Sequence, residues 1–318
     1  MNQAAKIKKL DDELWISDGM DLSVPGRTGT YILTGGTLAV IETGPSPSIP
    51  RLKENLQTIG FSIEDIRYII VTHIHLDHAG GAGLLIQECP DAELIVHPKG
   101  ARHLADPSKL IKGAKAVYGD DFDELFNPVL PVPEARIMSA AHGETLSLAD
   151  GRTLTFYHTP GHADHHISIH DSLTNGVFTG DTAGIQYVDA LQHDRQIFLP
   201  STSPNQFRPE QMLASFDHLT AMKPAAIYFG HFGKTEDIEE VSRQIRYWLP
   251  VFVQTAEECA GKENALEHLR AELYKDILDF YKLSPLPDGD PLKYLLQLDL
   301  YVCAMGLLDY VKKKQQNN

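Results

Sequence analysis

The 318-residue chain has only three cysteines, Cys89, Cys259 and Cys303. They lie far apart and are odd in number, which excludes a disulfide framework and a cysteine-rich zinc site and leaves three reduced, mostly buried thiols. Basic residues are also short: 28 Lys and Arg face 43 Asp and Glu, for a net charge of −15. A broad electrostatic grip on nucleic acid needs the opposite balance, and attachment to anionic lipid through a basic face is disfavoured for the same reason. No run approaches eighteen consecutive apolar residues, so no membrane-spanning helix is expected. The first thirty residues hold no apolar signal-type core, and the expected location is cytoplasmic.

With 42% hydrophobic residues the chain can build a real core. Only the ends, MNQAAKIKK and KKKQQNN, read as disordered. Strand-like runs rich in Ile, Val, Tyr, Phe and Thr recur from about residue 13 to 233: ELWIS, TYILTG, TLAVIETG, RYIIVTH, AELIVHP, TLTFYHTP, HHISIHD, GVFTGD and AAIYFGH. Residues 34–36, Thr-Gly-Gly, read as a hairpin turn. Helical spacing appears over 50–59, 82–88, 107–118 and 209–222. Many strands mixed with a few helices indicate an α/β architecture. Beyond Thr235 the pattern turns wholly helical, over 236–260, 263–281 and 291–313, with Leu292, Leu295, Leu296, Val302 and Met305 at helical spacing. The expected division is therefore a catalytic domain over 1–234 and an α-helical region over 235–318, serving as a lid or a homodimer interface.

The chemistry is concentrated in Thr72-His73-Ile74-His75-Leu76-Asp77-His78-Ala79-Gly80-Gly81. An apolar strand runs directly into four candidate metal ligands within six residues, followed by glycines and a helix. Imidazole nitrogen and carboxylate oxygen suit zinc, iron and manganese. Ligands at the end of a strand have a rigid base from which to converge. Three more segments repeat the device: His162 in Thr-Pro-Gly-His, Asp181 in Phe-Thr-Gly-Asp and His231 in Phe-Gly-His each follow a strand, with a glycine giving backbone freedom before the ligand.

These motifs, THIHLDHAGG, TPGH, FTGD and a strand-borne GH in that order, resemble the metallo-β-lactamase superfamily of αββα metallohydrolases over about residues 13–233. The resemblance implies a four-layer αββα sandwich with two divalent metal ions in a groove at one edge, zinc first, with iron or manganese as alternatives. It implies that His73, His75 and His162 hold one ion, that Asp77, His78 and His231 hold the other, and that Asp181 bridges them. A shared water, deprotonated between two cations, would attack a carbonyl or phosphoryl group, and Asp77 could also pass a proton to the leaving group. Glu42, where the superfamily often has Asp, and Thr72 are candidates to orient the imidazoles. Tyr187 and His193 are candidate pocket residues, and the run 199–204 is a candidate groove wall. His165 and His166 read as surface or strand-start residues.

The helical C-terminal part is similar to that of hydroxyacylglutathione hydrolases, so the expected activity is hydrolysis of a small ester, thioester or lactone, with a small-molecule substrate as partner. The alternatives are a phosphodiesterase or nuclease, an iron-dependent redox member, and a metal-binding signalling protein without turnover.

Overall fold

A computed structural model describes residues 7–316. In chain order the strands are Ile7–Asp11 (β1), Leu14–Asp18 (β2), Gly29–Leu33 (β3), Ala39–Ile41 (β4), Tyr68–Ile70 (β5), Glu93–Val96 (β6), Ile137–Ser139 (β7), Thr145–Ser147 (β8), Thr153–His158 (β9), Ile167–Asp171 (β10), Gly176–Gly180 (β11), Ile185–Gln186 (β12), Phe198–Leu199 (β13), Ala226–Phe229 (β14) and Lys234–Thr235 (β15). The α-helices are Ile49–Thr58 (α1), Leu76–Ala79 (α2), Ala82–Glu88 (α3), Pro98–Ala105 (α4), Ser108–Tyr118 (α5), Phe122–Phe126 (α6), Pro209–Ala221 (α7), Ile238–Cys259 (α8), Ala265–Tyr281 (α9) and Pro291–Gln316 (α10).

These elements form two compact units. One takes the described part of Met1–His158 together with His165–Gly180 and Lys223–Glu236. The other takes Thr159–Asp164, Asp181–Met222 and the described part of Asp237–Asn318. The second unit therefore draws on two segments from the middle of the chain besides the C-terminal helices.

The first unit is built on a seven-stranded sheet in the order β1-β2-β3-β4-β5-β6-β7 and a six-stranded sheet in the order β15-β14-β11-β10-β9-β8. Register explains why they stack. Ile16, Tyr31, Ile41, Ile70 and Ile95 pair in one row across five strands, and side chains in such a row share a face. All five belong to a core that also contains Leu154, Phe156, Ile167, Ile169, Phe178 and Tyr228 of the second sheet. The neighbouring row, Trp15, Ile32, Val40, Ile69 and Leu94, points the other way. It packs with Leu52 and Leu56 of α1 and Leu85 and Ile86 of α3. Because both faces of the first sheet are covered, its central strands read as continuous apolar runs, as buried parallel strands do.

In the second unit α8, α9 and α10 pack on one another, and β12 pairs with β13. Leu292, Leu295, Leu296, Leu300, Cys303, Ala304 and Leu307 form the buried side of α10. Gly306 lets this helix approach the backbone of residues 202–204, because a Cβ there would overlap the carbonyl oxygen of Thr202. By length and a mean hydropathy of 1.3 alone α10 could cross a membrane, but half of that stretch is buried in the protein, and a core helix has the same length and composition.

Two local expectations change. Residues 7–9, read as part of a disordered end, belong to β1, which pairs with β2 and sets Ile7 opposite Ser17. Met1 to Lys6 lie outside the described residues. At the other end Lys312 to Gln316 continue α10, and the last two residues lie outside the described ones. Helix α4 has no counterpart in the sequence reading. It is only eight residues long with few large apolar side chains, and its start is marked by His97, whose Nδ1 accepts the Lys99 amide, in place of a Ser, Thr, Asp or Asn cap.

Candidate metal centre

In the first unit the ligand-bearing segment follows β5 as the sequence implies. His75 is the N-terminal cap residue of α2, which carries Asp77 and His78. The helix is only one turn long and is held from outside. The His78 carbonyl accepts from the amides of Thr43 and Gly44 at 2.9 and 3.1 Å and from the Thr43 hydroxyl at 3.0 Å. The end of β4 thus clamps α2 and fixes the His78 ring.

His231 arrives from β14. Asp77 Oδ2 lies 3.7 Å from His78 Nε2 and 3.7 Å from His231 Nε2. Donors about 2.0–2.2 Å from a shared ion stand roughly 3.4 Å apart at the tetrahedral angle, so this triad has the spacing of a cation site before slight contraction. His73 Nε2 and His75 Nδ1 stand 3.0 Å apart and could meet a second ion. His73 and His78 lie side by side, with ring centroids 4.2 Å apart. The donor set passes the chemical test for a divalent cation: imidazoles and a carboxylate, mostly buried, gathered within bonding reach of a common point.

The orientation of the rings has a visible cause. Glu42, at the end of β4 and 2% exposed, accepts from the Thr72 amide at 3.3 Å, from the Thr72 hydroxyl, and from His78 Nδ1 at 3.3 Å. The Thr72 oxygen in turn accepts from His73 Nδ1 at 3.0 Å. With both Nδ1 atoms serving as donors, both Nε2 lone pairs are left for a cation. One carboxylate therefore fixes the tautomers of two imidazoles, the outer support that ligating histidines need. Glu42 does so from φ +66°, a left-handed conformation that is costly for a residue with a long side chain.

Two glycines make room. A Cβ on Gly230 would stand 2.5 Å from His78 Cε1. A Cβ on Gly180, whose φ is +47°, would stand 2.5 Å from both His166 Nε2 and the Thr72 hydroxyl.

His165 and His166 are not surface residues. His166 is fully buried and stacks on His73 at 4.9 Å; His165 is 8% exposed and meets His75 edge to face at 5.7 Å. Two consecutive side chains entering a strand point to opposite faces, which was the available signal that at least one must turn inward.

The second unit holds His162 and Asp181 as a pair, His162 Nε2 lying 3.5 Å from Asp181 Oδ2. Ser201 organises both. Its carbonyl accepts from His162 Nδ1 at 3.0 Å and its hydroxyl donates to Asp181 Oδ2 at 2.8 Å. The 199–204 run was expected only as a wall. Ser201 is one of two serines in a proline-flanked loop, and nothing in the sequence signals this role. Tyr187 is buried, and His193 pairs with Asp290 at 3.2 Å.

A two-sheet α/β sandwich with histidines and aspartates that could hold metal gathered beyond its strand ends defines the class of fold. The chain belongs to the metallo-beta-lactamase superfamily, whose sequence profile matches residues 25–231, and its fold is that α/β sandwich with a helical C-terminal region. It is 28% identical over 214 residues to the metallo-beta-lactamase fold-containing protein ST1585 of Sulfurisphaera tokodaii, covering 66% of this chain and 74% of that protein. The crystal structure of ST1585 superposes with a TM-score of 0.64 over 92% of this chain and 97% of that chain, at 22% identity. It is also 28% identical over 122 residues to the N-acyl homoserine lactonase AttM of Agrobacterium fabrum, 38% of this chain and 42% of that one. The atrochrysone carboxyl ACP thioesterase of Passalora fulva matches at 26% over 161 residues, 49% of this chain and 38% of that one. For these last two relatives the match spans less than half their length.

Proposed function

We propose that the protein is a metal-dependent hydrolase of a small ester, thioester or lactone. The observation that carries the reading is the Asp77 carboxylate, 3.7 Å from both His78 and His231 and flanked by imidazoles already turned with their Nε2 atoms outward. Relatives named as a lactonase and a thioesterase point to the same substrate class. In this reading His73, His75, His162, Asp77, His78, Asp181 and His231 serve two divalent cations, zinc first.

Bound cations of this kind supply Lewis acidity and a water that ionises near neutral pH. The protein's own part is to hold the ligands without reorganisation. Glu42 and Thr72 keep His73 and His78 in one tautomer, Ser201 does the same for His162, and Asp77 is placed to carry a proton toward a leaving oxygen or sulfur. Within the same proposal the substrate is a small molecule, nucleic acid is not a partner, the location is cytoplasmic, and the helical region after residue 235 tunes substrate choice or joins two copies. The likeness to hydroxyacylglutathione hydrolases makes a glutathione thioester one substrate to try.

The test is elemental analysis of the purified protein, followed by a panel of thioesters, lactones and phosphodiesters on the wild type and Asp77→Ala. The expected result is bound metal, turnover in the ester, thioester or lactone group, and a loss of at least a hundredfold in the variant. Equal turnover by both proteins, or turnover confined to phosphodiesters, overturns the reading.

A further inference from the structure

The Asp77–His78–His231 triad draws on both sheets. Asp77 and His78 follow β5 of the seven-stranded sheet, and His231 follows β14 of the six-stranded one. The 3.7 Å between Asp77 Oδ2 and His231 Nε2 is therefore a distance between sheets. Apolar packing holds two sheets together but is non-directional, whereas a cation site needs its donors placed to within a fraction of an ångström.

The turn that carries His231 is tight and strained. Residues 230–233 join β14 to β15, and the Phe229 amide donates to the Gly233 carbonyl at 3.0 Å. Phe232 has φ +52° and Gly233 has φ +105°. A non-glycine residue keeps such a conformation only where its surroundings over-determine it.

Those surroundings are β3, a strand of the facing sheet. The Tyr31 hydroxyl donates to the Phe229 carbonyl at 2.6 Å and to the Gly233 carbonyl at 2.7 Å, sharing its one hydrogen between them. These carbonyls stand two residues before and two residues after His231. Also from β3, the Gly29 amide donates to the Gly230 carbonyl at 3.4 Å, and a Cβ on Gly29 would stand 2.9 Å from Phe232 Cδ2. Tyr31 has little freedom of its own. It is buried, meets Phe178 and Tyr228 edge to face at 5.0 and 5.6 Å, and pairs in register with Ile41, the residue before Glu42. Phenylalanine would fill the same space with no hydroxyl to satisfy, so what tyrosine adds at this position is the pair of carbonyl contacts.

We infer that Tyr31 is a positioning residue for the Asp77–His78–His231 site: its hydroxyl ties the His231 turn to the facing sheet and so sets how far His231 stands from Asp77. Neighbouring strands β3 and β4 then serve both imidazoles of the triad, β4 through Glu42 on His78 and β3 through Tyr31 on the His231 turn.

This inference rests on the metal reading above, and its test separates the two. Metal-free wild type, Tyr31→Phe, protein with p-aminophenylalanine at position 31, and Leu154→Val are titrated with zinc against a chromophoric chelator. Cobalt spectra at each equivalent and melting temperatures are recorded alongside. The amino analogue keeps the shape of tyrosine and offers a hydrogen to each carbonyl. Leu154→Val trims the same core from β9 and touches none of the contacts above. The expected result is two binding events in wild type, one of them weakened about tenfold or more in Tyr31→Phe and the other unchanged, with only the corresponding cobalt band altered. The amino analogue restores the weakened site. Leu154→Val keeps wild-type affinity at both sites while its melting temperature falls, a separation that a purely structural role would not give. In metal-free protein the His231 ring resonance, assigned by its loss in His231→Gln, shifts in Tyr31→Phe and returns with the amino analogue. Gly29→Ala, which presses on Phe232 with Tyr31 intact, weakens the same site and serves should Tyr31→Phe not fold. Wild-type affinity in Tyr31→Phe, no recovery with the amino analogue, or weakening of both sites in step with melting temperature in Tyr31→Phe and Leu154→Val alike overturns the inference. A wild type that takes up no zinc sinks the metal reading itself, and this inference with it.

Discussion

Replacing Glu42 by glutamine tests how the site is held together. The side chain keeps its volume and loses its charge. In the native protein the carboxylate only accepts, from the Thr72 amide, the Thr72 hydroxyl and His78 Nδ1. The glutamine oxygen can serve one side of this arrangement, but its amino group must then face a donor. One charge-assisted hydrogen bond, worth roughly 1.5–3 kcal/mol, is lost. His78 can relieve the clash by moving its proton to Nε2, leaving Nδ1 to accept from the glutamine. That places a proton on the atom 3.7 Å from Asp77, where a cation must bind. Removing such outer support lowers metal affinity about 10–100-fold, which is about 1.4–2.7 kcal/mol and matches the cost of the lost bond. Calorimetric titration with zinc is the assay, with melting temperature as control. Glu42→Asp should fall between wild type and Glu42→Gln: the charge stays and aspartate tolerates a left-handed backbone better, but one methylene less lets it reach Thr72 or His78 and not both. Zinc affinity in Glu42→Gln within twofold of wild type would refute the tautomer argument.

Gly230→Ala should destabilise the protein by about 1–3 kcal/mol and lower bound metal, because its Cβ would stand 2.5 Å from the His78 ring; calorimetry and elemental analysis read both effects. Gly306→Ala should destabilise by more than the roughly 1 kcal/mol that alanine gains in a helix, since the new methyl overlaps the Thr202 carbonyl; a raised melting temperature would contradict the packing of α10. For metal-free protein, Asp21 sets a pH trend. Its carboxyl is raised from 3.8 to about 6 in the fold, so the native state binds the proton more tightly, and stability is lost as pH rises from about 4 to 6, by about 3 kcal/mol at most. Urea titrations across that window should show a shallower fall in Asp21→Asn than in wild type.

Much of this was legible in the chain. Nine of the fifteen described strands followed from apolar runs bounded by glycine, proline and aspartate, and α3 was delimited to the residue. The ligand segment was legible because four donors fall within six residues at a strand end. Legibility failed where partners are distant. Nothing near β1 announces its pairing with β2, because a short edge strand with lysines lacks a clean alternation. Ser201 gains its role only by meeting His162 and Asp181, 39 and 20 positions away. The buried ion pair of Asp21 Oδ2 with Arg27 Nε, 3.0 Å apart, was missed for a different reason: a charged residue in a Gly/Pro loop reads as solvated, and only the folded loop shows it submerged.

Seven described non-glycine residues of the first unit have positive φ; Asn175 and Lys223 meet one another in turns away from the candidate centre, while Glu42, Phe232, Met20, Leu22 and Ser23 lie at strand ends or a loop that also carry a charged or ligating side chain. Had these positions been free to relax, replacement by glycine during the chain's history would have removed a penalty of order 1–3 kcal/mol apiece. At Glu42 glycine would also remove the carboxylate that fixes two imidazoles, and at residues 20–23 it would loosen the loop that submerges Asp21. The well-packed sandwich beneath, with both rows of the first sheet buried, supplies the stability against which such penalties can stand. Backbone cost and electrostatic order at the candidate metal centre are therefore two sides of one arrangement, and a glycine placed at residue 42 should raise neither metal affinity nor turnover even where it relieves the chain.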